Sequence, residues 1–167
     1  MIGMTEYKPL VLIPTNAVKQ YCFGKFMHNL EQFDLMGGSI LFSDDTTEFM
    51  DGDDVSMYDI DKHKNMIESV GYECIKCKES LDTLTQAREK NPNAMLRVRA
   101  KLCNNRENLR REFLQRTEYT HAIWLDSDIL PPKDFIPRLL DHDVDVVSGI
   151  YYQQKLLRRD GIDEVVG

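Results

Sequence analysis

The residues best suited to chemistry are two aspartates separated by a single residue. Asp126 and Asp128 directly follow the apolar run 123–125, and two prolines come soon after them. In an extended chain, side chains at positions i and i+2 face the same way, so we expect these two carboxylates to lie close together. Such a pair repels unless a cation compensates it, and Mg²⁺ or Mn²⁺ commonly takes one or two carboxylates plus substrate phosphate oxygens. Asp126 and Asp128 are therefore candidate metal ligands, and the alternative is a solvated turn.

The first two apolar runs of the chain also end in polar or turn residues. These are Pro14, Thr15 and Asn16 after the run 10–13, and Ser43, Asp44 and Asp45 after the run 40–42. If the runs are parallel strands, their carboxyl ends meet the Asp126 turn at one edge of the sheet, where open α/β sheets bind ligands. The pair Asp44-Asp45 also has a simpler interpretation, as the start of an acidic loop.

Apolar patterning predicts the elements that position these groups. Short continuous apolar runs are typical of strands in a parallel sheet, whereas apolar spacings of three and four predict amphipathic helices. The predicted strands are 10–13, 40–42, 73–78, 121–125 and 144–151. The predicted helices are one of about four turns ending before Gly37, then 60–70, 80–90, a long helix with Leu102, Leu109 and Phe113 on one face, and one opened by Pro131-Pro132. This alternation predicts a doubly wound α/β domain.

Composition excludes several classes of protein. The 167 residues fit one domain, and the net charge of −7 argues against a chain whose main role is to neutralise nucleic-acid phosphates. No apolar run approaches the roughly 20 residues that cross a bilayer, and we expect a cytoplasmic protein. The spacing Cys74-x-x-Cys77 lacks a second cysteine pair, so core thiols are favoured over a zinc site.

Four stretches of the chain carry a family resemblance: Val11–Asn16, Arg106–Asn108, Trp124–Ile129 and Asp145–Tyr151. Together they resemble the glycosyltransferases of the A-type fold, particularly family 2 enzymes that use nucleotide-diphosphate sugars. The resemblance covers residues 10–152 and is more specific in the second half. It implies a single domain over residues 1–167 with a doubly wound, mostly parallel sheet and helices on both faces, and it leaves open a domain truncated at the C-terminus.

The resemblance also implies a donor site, with the residues Pro14, Thr15, Asn16, Asp44, Asp45, Arg106, Asp126, Ser127 and Gly149. One of the two aspartates at 44 and 45 would accept a hydrogen bond from the base. Asp126 would face the ribose and the metal, and Asp128 would bind Mn²⁺ or Mg²⁺ directly. The fork of Arg106 suits a phosphate, although a charge-rich helix is also typical of a solvated face. Gly149 would let a strand pass close to the sugar pocket, or else mark a bulge.

The function implied is metal-dependent transfer of a sugar from a UDP- or GDP-linked donor to an acceptor hydroxyl. The alternatives are a non-catalytic nucleotide-sugar-binding domain, a subunit of a larger transferase, and a sugar-phosphate nucleotidyltransferase. The last usually has a Gly-rich loop after strand one, and residues 14–17 contain no glycine. The general base stays unassigned, since Asp160, Asp163 and Glu164 match no motif. A fragment, a donor-binding half, and a minimal enzyme that borrows its acceptor site from a partner chain or second copy all remain open.

Overall fold

The computed structural model describes residues 7–16, 19–46, 60–77, 94–150, 155–159 and 162–166. The strands are β1 (Pro9–Thr15), β2 (Ser39–Asp44), β3 (Glu73–Lys76), β4 (His121–Trp124), β5 (Lys155–Arg159) and β6 (Ile162–Val166). The helices are α1 (Gln20–Leu30), α2 (Ile60–Ser69), α3 (Ala94–Gln115) and α4 (Phe135–Leu140). The predicted helix 80–90 and most of the acidic loop that follows Asp45 lie outside the described residues.

The first four strands form one parallel sheet in the order β3-β2-β1-β4. β1 lies at its centre and pairs with β2 from Leu10↔Ser39 to Thr15↔Asp44, and with β4 from Pro9↔His121 to Leu12↔Trp124. The prediction of a parallel α/β sheet is therefore confirmed. After β3 the chain returns to the far side of β1, so the strand order reverses between β1 and β4.

Helices cover both faces of this sheet because alternate residues of the central strands point to opposite sides. On one face, Val11, Ile13 and Phe42 pack with residues of α1, α2 and α4 in an aromatic-rich core. On the other face, Leu10, Leu12 and Leu41 pack against Leu109 of α3. The prediction of a doubly wound arrangement is confirmed for the described residues.

The first helix is shorter than the apolar spacing predicts. α1 ends at Leu30, about three turns after its start, although Phe33 beyond it is still buried in the core. Gly37 then takes a positive φ of 76°, and a Cβ on Gly38 would lie 2.0 Å from the Pro9 carbonyl oxygen. The chain leaves the helix early because this tight return must bring it alongside β1.

The long helix α3 is held at its C-terminal end and extends beyond the sheet at its other end. Arg116 donates to both carboxylate oxygens of Glu73, at 2.7 and 2.6 Å, which ties the end of α3 to the amino end of β3. Asn105 already contacts the carboxyl ends of the strands, so Leu102, one turn earlier, lies past them and is 38% exposed. Leu102 keeps the spacing that puts it on one face with Leu109 and Phe113, but this end of the face extends past the sheet and is not covered. None of the described helices is both long and apolar enough to cross a membrane.

The region after α4 differs most from the prediction. Residues 144–150 form no strand, and Val146 and Ile150 are almost fully exposed. Their β-branched pattern produces a strand only where a neighbouring strand covers it, and β4 has no described neighbour on its outer side. As an edge strand, β4 leaves Trp124 44% exposed. The antiparallel pair β5 and β6, which the periodicity does not predict, forms a second sheet.

Candidate functional site

The polar ends of the strands meet at one edge of the sheet, as the sequence predicts. Thr15 pairs with Asp44 at the end of β1 and β2, and the Leu125 amide bonds the Leu12 carbonyl at 3.1 Å just before the aspartate pair. This edge is the carboxyl end of every strand in the sheet. Its crevice between β1 and β4, where the strand order reverses, is the usual ligand position in open α/β sheets.

The aspartate pair does not have the extended geometry that we expected. The chain turns at Ser127, and the Ile129 amide bonds the Asp126 carbonyl at 3.1 Å. Asp126 accepts a hydrogen bond from Arg106 at 2.7 Å, whereas Asp128 pairs with the ammonium of Lys19. The side chains of Asp126 and Asp128 are 40% and 34% exposed. Each carboxylate therefore faces its own cation and keeps part of its surface open to the crevice.

The two cations reach the turn from opposite faces of the sheet. Lys19 directly precedes α1, which packs in the aromatic-rich core, whereas Arg106 is on α3. Burial acts to lower the pKa of Lys19, but the hydrogen bond and the charge of Asp128 outweigh it, and the net pKa is raised. The Cys22 thiol donates to the carbonyls of Lys19 and Ser127, at 3.3 and 3.8 Å, so the start of α1 and the aspartate turn are joined.

The ends of β1 and β2 form a buried polar cluster on the α1–α2 face. Thr15 Oγ1 lies 3.1 Å from Nε2 of His63, which is fully buried on α2. Asp44 is buried next to Thr15 and accepts hydrogen bonds from the amide and hydroxyl of Thr46 through Oδ1. The Asp45 amide donates to the Thr15 carbonyl at 3.1 Å. Three predicted donor-site residues, Thr15, Asp44 and Asp45, are thus brought together.

His63 also belongs to this cluster, and no sequence motif assigns it a role there. Its ring lies 4.2 Å from the Phe23 ring, and its burial lowers its pKa, while the charge of Asp44 acts in the opposite direction. The helical spacing could have predicted that His63 is buried. It lies four residues before the buried Ile67 and therefore on the same, apolar face of α2. A histidine on such a face is expected to need a buried polar partner.

Several buried polar atoms at this edge have no hydrogen-bond partner among the described residues. Asn105 of α3 donates through Nδ2 to the Ser43 carbonyl at 3.0 Å and reaches the Thr15 carbonyl at 3.5 Å, but its Oδ1 has no such partner. The same holds for Asn16 Oδ1, Ser43 Oγ and His63 Nδ1. Buried polar atoms are normally hydrogen-bonded, so four such atoms at one edge indicate a place where a ligand or water completes the bonding.

The other predicted residues are distributed as follows. Pro14 and Ser127 are buried within the edge, and Asn16 is half-buried there. Gly149 is exposed, and a Cβ on it would meet no described atom within 4 Å, so the expected close approach is absent and its place in the donor site stays a prediction. Sequence reasoning missed Lys19, whose position four residues after β1 is its only signal.

Cys74 lies in β3 and Cys77 directly follows that strand. Cys77 is buried and accepts hydrogen bonds from the Asn108 and Asn104 amides at 2.8 and 3.4 Å, as expected of a core thiol. Cys74 is half-buried, and burial raises the pKa of its thiol to about 12. Within the described ranges, no three His, Cys, Asp or Glu side chains are arranged to hold a metal ion.

The carboxylates Asp126 and Asp128 nevertheless have the chemistry that a hard cation needs when a substrate supplies the remaining ligands. Mg²⁺ is usually held by one or two carboxylates plus substrate phosphates and water, and both side chains keep exposed oxygen surface. Binding would require Lys19 and Arg106 to release them. The donor set therefore fits a divalent cation that arrives together with an anionic ligand.

Comparisons with known proteins add no relative: the chain matches no protein-family model, no curated protein and no solved structure. The fold and the geometry of this edge are therefore the basis for inferring a function.

Proposed function

We propose that this chain is a metal-dependent glycosyltransferase that binds a nucleotide-diphosphate sugar at the carboxyl edge of its sheet. The sugar would pass to an acceptor hydroxyl, with loss of the nucleoside diphosphate. The observation that carries the proposal is the meeting of the Asp126-Ser127-Asp128 turn with the polar ends of β1 and β2 at the reversal of strand order. That meeting puts candidate phosphate-binding and base-binding groups into one crevice.

The buried polar atoms support a ligand with many hydrogen-bonding groups. His63 Nδ1, Asn16 Oδ1, Ser43 Oγ and Asn105 Oδ1 comprise acceptors and groups that can donate, and none has a partner within the described residues. A nucleotide offers donors and acceptors on its base and ribose. Asp44 and Asp45, buried beside Thr15, are the proposed partners of the base, and Asp126 the proposed partner of the ribose.

The charged residues of the turn support a diphosphate rather than a neutral ligand. Arg106, 2.7 Å from Asp126, presents a guanidinium that can turn to a phosphate oxygen, and Asp128 offers a carboxylate to a cation. Mg²⁺ or Mn²⁺ bound there would stabilise the charge that develops on the departing diphosphate. The protein's own residues orient the donor and hold its phosphates at the crevice.

Calorimetric titration of the whole chain with UDP, GDP and CDP, with and without MnCl₂, tests the proposal. We expect one of the nucleotides to bind, and to bind more tightly with Mn²⁺. The variant Asp128→Ala should lose the Mn²⁺-dependent part of the affinity while its circular dichroism spectrum stays that of the wild type, because the Lys19–Asp128 pair that it removes is partly exposed to water and contributes little to stability.

Asp141→Ala is the matched control, since Asp141 is an exposed aspartate that directly follows α4 and lies near Tyr7, before the amino end of β1. It should bind nucleotide as the wild type does. No binding of any of the three nucleotides would overturn the proposed donor class. Nucleotide binding that is the same with and without Mn²⁺, and unchanged in Asp128→Ala, would overturn the metal role.

A second measurement separates an enzyme from a binding domain. Once the nucleotide is known, the wild type is incubated with the corresponding nucleotide sugars and Mn²⁺, and released free sugar is followed by NMR. Hydrolysis or transfer that Asp128→Ala lacks supports an enzyme. Tight donor binding without any turnover supports the non-catalytic donor-binding alternative.

A further inference from the structure

Lys19 occupies a position at the crevice that no sequence motif assigns. It lies between the end of β1 and the start of α1, beside the reversal of strand order, and its ammonium contacts Asp128. The side chain is only 31% exposed, so most of its surface is covered by the surrounding protein. The Cys22 thiol bonds the Lys19 carbonyl at 3.3 Å and so fixes the backbone from which the side chain extends.

The two carboxylates of the turn are each compensated by a cation from a different face. Arg106 of α3 bonds Asp126 at 2.7 Å, and Lys19 at the start of α1 pairs with Asp128. Two neighbouring carboxylates repel without such compensation. In the structure as it stands, Lys19 therefore supplies at Asp128 the positive charge that a divalent cation would otherwise supply.

The Lys19–Asp128 pair is weak enough to exchange. Ion pairs exposed to about this extent change an equilibrium constant by less than about tenfold, because water screens them. A charge-assisted hydrogen bond from an ammonium to a phosphate oxygen contributes roughly ten- to a hundredfold in affinity. The Lys19 ammonium can therefore leave Asp128 and bind a phosphate oxygen, provided that another cation compensates the charge of Asp128 at the same time.

We propose that Lys19 is a phosphate-binding residue, and that it leaves Asp128 for the diphosphate when a divalent cation takes its place. This inference rests on the proposed function for the identity of the diphosphate. The divalent cation and Lys19 compete for Asp128 in the empty site, whereas the diphosphate removes Lys19 from that competition. The cation and the diphosphate consequently favour each other's binding, and the coupling is the same whichever binds first.

The exchange predicts opposite effects of one substitution on two ligands. In Lys19→Gln, Mn²⁺ alone should bind about three- to tenfold more tightly, because the competing ammonium is gone. Pyrophosphate in a fixed excess of MgCl₂ should bind roughly ten- to a hundredfold more weakly, because a charge-assisted hydrogen bond is lost. A lysine with only a structural role at the start of α1 would not shift the two affinities in opposite directions.

The experiment measures both affinities on the whole chain, Mn²⁺ alone by electron paramagnetic resonance and magnesium pyrophosphate by calorimetry. Lys19→Arg keeps the charge and should bind pyrophosphate within a few-fold of the wild type. Lys25→Gln, at an exposed lysine on the same helix, is the matched control and should leave both affinities unchanged. Unchanged affinities in Lys19→Gln, or a loss of both, would overturn the exchange.

Titrations with UDP, GDP and CDP in the same buffer keep this inference distinct from the proposed function. Lys19-dependent pyrophosphate binding without nucleotide binding would support Lys19 as a phosphate-binding residue and overturn the nucleotide-sugar donor. Nucleotide binding that Lys19→Gln leaves intact would overturn the role of Lys19 and support the donor. A wild type that binds neither pyrophosphate nor any nucleotide overturns both.

Discussion

The central strands change character between their middle and their carboxyl ends, although both parts are buried. In the middle, Leu12, Ile13 and Phe42 are apolar and packed against helices on both faces. At the ends, Thr15 and Ser43 are equally inaccessible to water but polar, and the Ser43 hydroxyl has no described partner. Burial therefore has opposite effects in the two regions. It stabilises the folded state at the apolar middle of the strands and destabilises it at their polar ends.

The difference indicates where the strands stop contributing to stability and where their polar groups are open to a binding role. Burying an apolar side chain contributes about 1.5–3 kcal/mol to folding, whereas a buried polar atom left without a partner costs roughly 1–3 kcal/mol. Such departures from an otherwise consistent core are expected at functional sites, where a ligand supplies the missing partner. Substitutions in the two regions should therefore differ in size and even in sign.

The largest expected effect is in the middle. Phe42 packs edge-on against the rings of Phe23 and Phe26, with centroids at 6.2 and 6.5 Å. Phe42→Ala removes this packing and leaves a cavity, so the free energy of unfolding should fall by about 3–5 kcal/mol. Urea denaturation followed by circular dichroism measures it. Tyr21→Ala, at a tyrosine 77% exposed on α1, is the control and should change stability by less than about 0.5 kcal/mol.

The next largest effect is a pH dependence of stability that arises from His63 at the polar ends of the strands. Burial lowers the pKa of His63 in the folded protein, whereas the unfolded chain titrates near 6.5. Between these two values the unfolded state binds more protons, so stability is full above about pH 6.5 and declines as the pH falls toward the lowered pKa. The slope should reach at most about 1.4 kcal/mol per pH unit.

Urea denaturation from pH 5 to pH 8 measures this slope. In His63→Gln, the free energy of unfolding should depend less steeply on pH, because the contribution of the histidine is gone. This holds whether or not the substitution changes the stability at pH 8. His28→Gln is the control, because His28 lies exposed on α1, and it should keep the wild-type profile. A wild-type profile in His63→Gln would mean that His63 does not carry the pH dependence.

A smaller effect should have the opposite sign. Ser43→Ala removes a buried hydroxyl that lacks a described partner and keeps the strand residue small. We expect the free energy of unfolding to rise by about 1 kcal/mol, since the unfolded state no longer benefits from hydrating that hydroxyl. The melting temperature measures the change. A loss of stability would contradict the comparison, because it would mean that the hydroxyl is satisfied in the free protein.

The apolar middle parts of the strands could be predicted from the sequence. The residues that meet at the carboxyl edge of the sheet could be predicted only in part. Leu10–Ile13 is a continuous apolar run, and such a run is typical of a strand that is buried on both faces of a parallel sheet. The polar residues that end these runs were predicted to meet because parallel strands leave no other geometry. His63 and Lys19 were missed because their roles depend on three-dimensional neighbours 48 and 109 residues away in the chain.

The failures have a common physical origin. The expected strand 144–151 assumed that an apolar pattern is always covered by a neighbouring element, and the exposed Leu102 on the apolar face of α3 shows that it is not. Whether an apolar pattern is covered depends on where the sheet ends. Sideways, the described sheet ends at β4, so residues 144–150 have no strand beside them. Along the strands, it ends near Asn105, so Leu102 extends past it. The turn at Ser127 similarly replaced the extended spacing that Asp126 and Asp128 were expected to have.

The smallest expected effect on stability compares Arg106 of α3 with Arg116, which directly follows that helix. Arg116 binds Glu73 through two hydrogen bonds at the amino edge, whereas Arg106 makes one hydrogen bond to Asp126 at the carboxyl edge. Arg116→Gln should lower the free energy of unfolding by about 1 kcal/mol and Arg106→Gln by less than about 0.5 kcal/mol, since both pairs are partly exposed to water. Urea denaturation of the two variants in parallel measures the difference.

The same two variants should reverse their order when ligand binding is measured. Arg106→Gln should weaken magnesium pyrophosphate by about tenfold, because the guanidinium that leaves Asp126 for a phosphate is missing, and Arg116→Gln should have no effect. A change in net charge alone cannot produce such a reversal, since both substitutions remove one positive charge, from Arg106 within α3 and from Arg116 directly after it. Equal effects of the two variants on pyrophosphate would mean that the edges do not differ in function, only in how well their polar groups are satisfied.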